Sequence, residues 1–450
     1  MRLSGKSAGR RWLSVTRRGA VLAVLLLAAM TVTPSTGAFS GAPATAGSSS
    51  GGLALTPPMG WSNWDAFSPQ EVTARHIRAV TDTMVALDLR RVGYEQVIVG
   101  AGWQAATRAA DGQMQADPTK FPGGMAALAQ YVHDKGFQFG LQQAPGRQNC
   151  PAWPVPGTDT APGATYVDKA RFDANTFAGW GVDFIRLDGC GYQSVRPADL
   201  GHRAWARQVY GAWRQALDAT GRQIVLWGNG GEYATPGMWA PLGVNVWRIK
   251  SDLKPCWGRV LKGLDADADL NTLAAPGSWN DPDFLVLGTP RKEWAGLPDF
   301  TGGLTDAEGR SQFSLWAILA APLVASTDLR KDSRFTIRTL TNRDVIAVDQ
   351  DPLGIQGRRI GARDDQEVWV KRLAGGDRAV VLFNRSTGRR TINTSASRIG
   401  MPPAPRYYLH HLWSHCVSRT TGSIGLDVGG HGAYMTRVSL ERAVGWPSCS

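Results

Sequence analysis

Two hydrophobic periods alternate along the chain from residue 53 to about residue 350. Short apolar runs at 94–99, 137–141, 184–187, 224–226, 244–247 and 284–287 have the length of strands. Between them lie segments such as 124–135 and 202–220, whose apolar residues recur at helical spacing. Repeated strand–helix units predict a parallel sheet with helices packed outside it. A closed eightfold barrel fits better than an open sheet. No Gly-rich dinucleotide turn follows the first strand, and polar or charged residues recur directly after several strands, as they do at the C-terminal mouth of a barrel.

Beyond about residue 350 the pattern changes. The runs 366–373, 379–384, 406–412 and 433–440 are short, β-rich and separated by Gly, Asp, Asn and Ser turns. The expected organisation is an α/β chain with a (β/α)8 barrel over 53–351, followed by an antiparallel β domain over 352–450. The second domain is read first as a cap that stabilises the barrel, and second as an independent sugar-binding module.

The amino terminus reads as an address, not as part of the fold. Arg10, Arg11, Arg17 and Arg18 precede an apolar run from Ala20 to Met30, and Ala44-Thr45-Ala46 offers a small-residue cleavage site. Residues 1–46 are therefore expected to be an export signal, by the Sec or twin-arginine route, followed by a Gly/Ser linker over 47–52. A secreted, extracellular chain is expected, with no membrane attachment after cleavage. The formal charge is +12, but six basic residues and no acid fall within residues 1–46, which leaves +6 for the remainder. Those charges are scattered, so a nucleic-acid partner is not expected. No Walker loop, Rossmann fingerprint or GxSxG elbow at a strand–helix turn is present, and no cofactor is expected.

Candidate chemistry sits at the ends of the apolar runs. Asp188 is the first carboxylate past the 184–187 run, and Arg186 shares its face two residues earlier, placed to keep that carboxylate ionised. Asp252 follows the run that ends in Trp247-Arg248. Two carboxylates from different strand ends meet the requirement of glycoside hydrolysis: one attacks the anomeric carbon and the other donates a proton to the departing oxygen. Taken alone, Arg186–Asp188 reads equally well as a structural ion pair. A further cluster, Asp281-Pro282-Asp283, offers one carboxylate for substrate hydroxyls and one as a loop cap. Of the 18 tryptophans, Trp61, Trp64, Trp103, Trp247 and Trp279 lie beside these acids, where aromatic faces can pack on the C–H side of a sugar ring.

These residues belong to longer motifs. Thr56-Pro57-Pro58-Met59-Gly60-Trp61 with Trp64, Phe121-Pro122-Gly123-Gly124-Met125, the run from Trp180 to Cys190, Trp247-Arg248 with Asp252, Trp279-Asn280-Asp281-Pro282-Asp283 and Asp349-Gln350-Asp351-Pro352-Leu353-Gly354 occur in order. In this the chain resembles glycoside hydrolase family 27, the α-galactosidases or melibiases, over nearly its whole length after the signal. The resemblance implies a TIM barrel with a C-terminal β domain, and a retaining enzyme with Asp188 as nucleophile and Asp252 as acid/base. It also implies Trp64, Trp103, Gln142, Arg186, Asn229, Arg248 and Asp283 as substrate-binding positions, an oligo- or polysaccharide as substrate, and a Cys150–Cys190 disulfide.

The departures from the family pattern fall on recognition. Where the family carries a pair of aspartates that grip galactose, this chain has Gly100 and Ala101, with Gly102 in place of a cysteine. Gln142 and Ala144 stand for a Tyr and an Asp, Arg186 for a Lys, and Gly228-Asn229 for Cys-Glu. Each lost carboxylate removes a charge-assisted hydrogen bond of about 1.5–3 kcal/mol. The glycone is therefore open, and an α-glucan of the isomaltodextran type, or another non-galactose sugar such as a β-L-arabinopyranoside, is the alternative. A catalytically inactive carbohydrate-binding protein is the reading from another class. Of the five cysteines, Cys416 and Cys449 are expected to pair, leaving Cys256 as the odd one. The His410-His411 and His415-Cys416 cluster matches no standard zinc spacing, so no metal is expected.

Overall fold

The computed structural model describes residues 52–67, 71–146, 149, 166–231, 235–289 and 303–449. The expected export signal at 1–46, all of the expected linker but Gly52, and Cys150 lie outside the described residues. Eight parallel strands form one sheet: β1 (Met59–Ser62), β2 (Gln96–Val99), β3 (Gln138–Gln143), β4 (Phe184–Asp188), β5 (Val225–Asn229), β6 (Val246–Arg248), β7 (Trp279–Asp281) and β8 (Leu323–Ala325). They pair in chain order, and β8 returns to the free side of β1. Closure comes from one bridge, Leu285 with Ala325, in which the Leu285 N–H donates to the Val324 carbonyl at 2.8 Å.

That bridge corrects one expectation. The apolar run 284–287 is not itself the seventh strand; Trp279–Asp281 is. Pro282 cannot donate to a ladder and ends the strand, and the buried residues after it are drawn inward to seal the barrel. Strands β1 and β8 carry no alternation and escaped the sequence reading.

Around the sheet lie α1 (Ala74–Ala86), α2 (Gly124–Asp134), α3 (Tyr166–Gly179), α4 (His202–Ala219), α5 (Trp257–Asp267), α6 (Asp306–Leu319), α7 (Arg334–Leu340) and α8 (Arg343–Asp349). Most show one buried stripe, as in α4, where Trp205, Val209, Trp213 and Leu217 face the sheet. Helix α6 differs. From Ser311 to Leu319 every residue is buried, because the helix is covered on two sides. It starts at a capping box in which Thr305 and Glu308 satisfy each other's backbone N–H groups.

The second cover for α6 is the C-terminal β domain. Strands β9 (Arg358–Arg363), β10 (Gln366–Arg372), β11 (Arg378–Asn384), β13 (Tyr407–His411), β14 (Cys416–Thr420) and β16 (Ala433–Ser439) form an antiparallel sheet in the order β14-β13-β16-β11-β10-β9. Strands β12 (Arg390–Ser395) and β15 (Ser423–Val428) form a separate ribbon. Alternate residues of the central strands serve two cores. Trp369, Val381, Phe383 and Met435 join the core that contains α6, whereas Val368, Val380, Leu382 and Val438 pack with Ile392 and Ile424 of the ribbon. The buried Lys371 ammonium donates to the Asp349 carbonyl of α8 at 3.2 Å, and burial presses its pKa down to about 8. The first role expected of this domain, capping the barrel, is thus built into its packing.

Cys416 and Cys449 are joined in a disulfide, which takes up both sulfurs of the His411, Cys416 and Cys449 cluster. Cys190 is also disulfide-bonded, and Cys256 is a buried thiol. Among the described residues, no helix is long and apolar enough to cross a membrane.

Candidate active site

Period-two alternation sorts the side chains of the barrel strands. Ile98, Phe184, Val225, Trp227, Val246 and Trp279 pack together inside the barrel, whereas Val97, Val99, Ile185 and Leu187 belong to the layer under the helices. The same inward face, followed toward the C-terminal ends, presents Gly100, Gln142, Arg186, Asp188, Asn229, Arg248 and Asp281 at the mouth. Parallel register puts Gln142 beside Arg186 and Asp188 beside Asn229.

Asp188 is held by three donors. The Asn229 side-chain amide reaches Oδ1 at 2.7 Å and the Gly189 N–H reaches it at 3.1 Å, while the Gln142 amide donates to Oδ2. Glycine at 189 is required by space: a Cβ would stand 2.5 Å from the Asn229 carbonyl oxygen. Burial nevertheless pushes the Asp188 carboxyl above its ordinary range, with Asp252 adding to the effect, against Arg186 and Arg248. The expected role of Arg186 in favouring the ionised form is present but outweighed. Arg186 is buried with its guanidinium 4.6 Å from the centre of the Phe284 ring.

Asp252 sits in the loop after β6 with 44 % of its side chain exposed. Burial tends to raise its pKa, but Arg248, then Lys254 and Arg186, hold it below the ordinary value. Arg248 is the hub. Its guanidinium lies 2.7 Å from Asp283, 3.3 Å from Asp252 and 3.8 Å from Asp281. Burial opposes its charge, yet Asp283 foremost, and then Asp281, Asp252 and Asp188, raise its pKa above the ordinary value.

Asp283 acts behind this wall. One oxygen accepts the Leu253 N–H at 2.6 Å, the other accepts the Phe284 N–H at 2.8 Å, and its backbone is left-handed at φ 95°. It therefore clamps both Arg248 and the residue next to Asp252. Asp281 caps the turn by accepting the Asp283 N–H at 2.7 Å, and also accepts the Trp227 indole N–H at 2.7 Å. Burial pushes its carboxyl up to about 6. The sequence pointed to one aspartate for hydroxyls and one for the loop; both are engaged in holding the protein.

A cavity of about 640 Å³ opens over this array, lined by Asp188 and Asp252 together with Trp64, Asn229 and Arg248. The volume falls within the range of small-molecule sites. Trp103 is placed differently. It is fully buried, donates its indole N–H to the Gln142 carbonyl at 2.9 Å and packs edge-on against Trp180, so it supports the strand that carries Gln142. Sequence reasoning missed Asn63, whose side chain accepts the Gly100 N–H at 2.7 Å, although it lies one residue before the flagged Trp64. It also missed Thr235, Lys250 and Ser251 on the cavity wall, which no spacing singles out.

At the Gly100 end the structure is close-fitting. A Cβ there would lie 3.3 Å from the side-chain amide oxygen of Gln142 and 3.5 Å from both Asn63 and the Trp64 ring. Gln142 thus spans from the glycine to the Asp188 carboxylate.

Comparison with known proteins gives a consistent picture. The family model described as alpha galactosidase A matches residues 56–351, and that of the alpha galactosidase C-terminal beta sandwich domain matches residues 363–438. An alpha-galactosidase from Cyamopsis tetragonoloba is 33% identical over 389 residues, covering 85% of this chain and 86% of the relative. An alpha-N-acetylgalactosaminidase from Gallus gallus is 35% identical over 384 residues, with 81% and 87% covered. Among solved structures, alpha-galactosidase I from Mortierella vinacea is similar with a TM-score of 0.77 and 25% identity, over 88% of this chain and 99% of that one.

Proposed function

This chain belongs to the α-galactosidase family of glycoside hydrolases, and from that premise we propose that it is a secreted, retaining enzyme whose preferred glycone is not galactose. The observation that carries the reading is a split between chemistry and recognition: Asp188 and Asp252 line one cavity together, while the aspartate pair expected at Gly100 and Ala101 is gone.

In the proposed reaction Asp188 attacks the anomeric carbon as Asp252 delivers its proton to the departing oxygen. Water, deprotonated by Asp252, then releases the sugar from Asp188. The titration order of the empty site runs the other way, with Asp188 raised and Asp252 lowered. A bound sugar supplies the reversal. It covers the half-exposed Asp252 and excludes water from it, which favours its protonated form. Once Asp188 is esterified its negative charge disappears, the pKa of Asp252 falls, and the same residue becomes a better base for the second step.

Recognition follows the replaced groups. With Gly100 and Ala101 in place of two carboxylates, an axial hydroxyl finds no anionic acceptor there, and the amides of Gln142, Asn63 and Asn229 offer weaker, uncharged bonds. A family relative that acts on N-acetylgalactosamine, by its name, is consistent with a glycone that varies across this fold. An α-glucan is the second reading, favoured by the loss of anionic acceptors at Gly100 and Ala101. The apolar run and cleavage site within residues 1–46 support export.

The test is hydrolysis of a panel of nitrophenyl glycosides and α-glucans by the mature chain, followed by NMR of the first-formed anomer. Turnover of a non-galactose substrate with retention of configuration, abolished in Asp188→Asn, supports the proposal. Preferred turnover of the α-galactoside, or an inverted product, overturns it. A mechanism-based fluoroglycoside of the active sugar should label Asp188, and labelling of Asp252 instead would reverse the assigned roles.

A further inference from the structure

The C-terminal β domain holds a second cavity, of about 490 Å³, that shares no lining residue with the catalytic one. Its floor is the β16 strand, where Arg437 pairs with Asp377 of the β10–β11 turn at 2.6 Å. One wall is the buried His410 of β13. The other is the segment after β16, with Glu441, Arg442 and Ala443. A smaller space of about 150 Å³ adjoins it, sharing His410, Arg437 and Ala443 and ending at Trp446.

Three features make this a built site and not a surface crease. The segment that forms its outer wall is anchored at its end by the Cys416–Cys449 disulfide and by backbone bonds of Val417 to Pro447 and Cys449. The two walls are tied together as well: the Ala443 N–H donates to the His410 ring at 3.3 Å, and within the outer wall Arg442 donates to the Trp446 carbonyl at 3.1 Å. Glu441 and Ser439 fix each other, the Glu441 N–H donating to the Ser439 hydroxyl at 2.9 Å and that hydroxyl to the Glu441 carbonyl at 2.7 Å.

The second argument is electrostatic. The lining carries two acids, Asp377 and Glu441, against two guanidinium groups, Arg437 and Arg442. Burial and then the nearby Arg437 lower the His410 pKa, against Asp377, the Glu441 backbone and Asp344, and a ring nitrogen accepts the Ala443 N–H, as the uncharged imidazole does. A lining that is dense in donors and acceptors yet balanced in charge discriminates against anions and cations alike and favours a neutral ligand with many hydroxyls. An indole at the far end of the linked space adds an apolar face of the kind a pyranose ring packs on.

We propose that this paired cavity is a non-catalytic carbohydrate site that holds a pyranose unit of the polymeric substrate away from the active site. The inference rests on the glycosidase reading above. Its consequence is avidity: a chain gripped at the β domain raises the effective concentration of its other residues at the barrel mouth, with no new catalytic group.

The experiment uses Asp188→Asn full-length chain, which holds glycan without cleaving it, in affinity electrophoresis through gels containing the polysaccharide that the wild-type enzyme cleaves. Two further changes are added singly to that background: Arg437→Ala, which removes the central donor, and Ala443→Leu, which fills the junction of the two spaces. Both should weaken polymer retention by roughly tenfold, the loss of one or two hydrogen bonds, while in the Asp188 parent kcat and KM for a nitrophenyl glycoside stay unchanged. Ala443 is partly exposed, so the second variant tests the site without disturbing the Arg437–Asp377 pair. Retention unchanged in both variants overturns the proposal and leaves the glycosidase reading standing. If the wild type cleaves no glycan of the panel, the parent reading fails instead, and this inference with it.

Discussion

At the catalytic end of the site, along the cavity wall, each charged group stands in a web of partners; at the other end, beside Trp64 around Gly100 and Ala101, the side chains are pared back to a hydrogen and a methyl. Asp188 has three donors, and Arg248 has three carboxylates within 4 Å. Around Gly100 the contacts are neutral amides and an indole. Bond breaking demands a nucleophile and a proton donor at fixed positions, so the groups that orient them are mutually dependent. Recognition of one hydroxyl is a local bond that can be exchanged without touching the others.

Breaking the charged end should have the largest effects. Asp188→Asn removes the nucleophile and should lower kcat/KM by at least ~10^4-fold on every substrate, as loss of a central catalytic group does. Asp252→Ala should cost about 10^2–10^4-fold on natural glycosides, whose leaving groups need protonation. It should cost far less on a dinitrophenyl glycoside, whose leaving group departs unassisted. An equal loss on both would deny Asp252 the role of proton donor.

Asp283→Ala separates support from chemistry. It strips the buried Arg248 of its nearest carboxylate, and a buried ion left unpaired destabilises by about 3–5 kcal/mol. Thermal unfolding should report that loss directly; an unchanged Tm would mean that Asp281 and Asp252 hold Arg248 unaided. Gln142→Ala probes the bridge between the two ends. Removing a donor to the ionised Asp188 disfavours the charged form. The acid limb of kcat/KM should therefore move to higher pH, with activity at its optimum reduced by about an order of magnitude. A limb that stays in place would mean that Asn229 and Gly189 suffice.

The smallest effect is the most informative about recognition. Gly100→Asp restores a carboxylate at the neutral end, where its Cβ meets the movable Gln142 amide at 3.3 Å. The ratio of α-galactoside turnover to that of the native glycone should rise by about tenfold, the worth of one charge-assisted bond. No change in that ratio would place galactose discrimination elsewhere in the cavity.

Much of this was legible in the chain itself. Hydrophobic period fixes strand and helix because it depends only on neighbours in sequence, and five of the six apolar runs fall on barrel strands. Both candidate carboxylates follow apolar runs, where a parallel strand must deliver its next polar residue to the mouth. The replaced glycone positions were equally visible, since a side chain that is not there needs no structure to be missed. What the tertiary structure decided was which side chains meet. Trp103 turned into the wall of the barrel, Asp283 became a clamp on Arg248 and the Asp252 loop, Gln142 reached the nucleophile, and Leu285 closed the sheet on Ala325. Each of these contacts joins residues brought together by strand register or loop packing, not by their spacing along the chain. The inverted titration order of the two aspartates has the same origin, because desolvation and the field of Arg248 exist only once the barrel has closed around them.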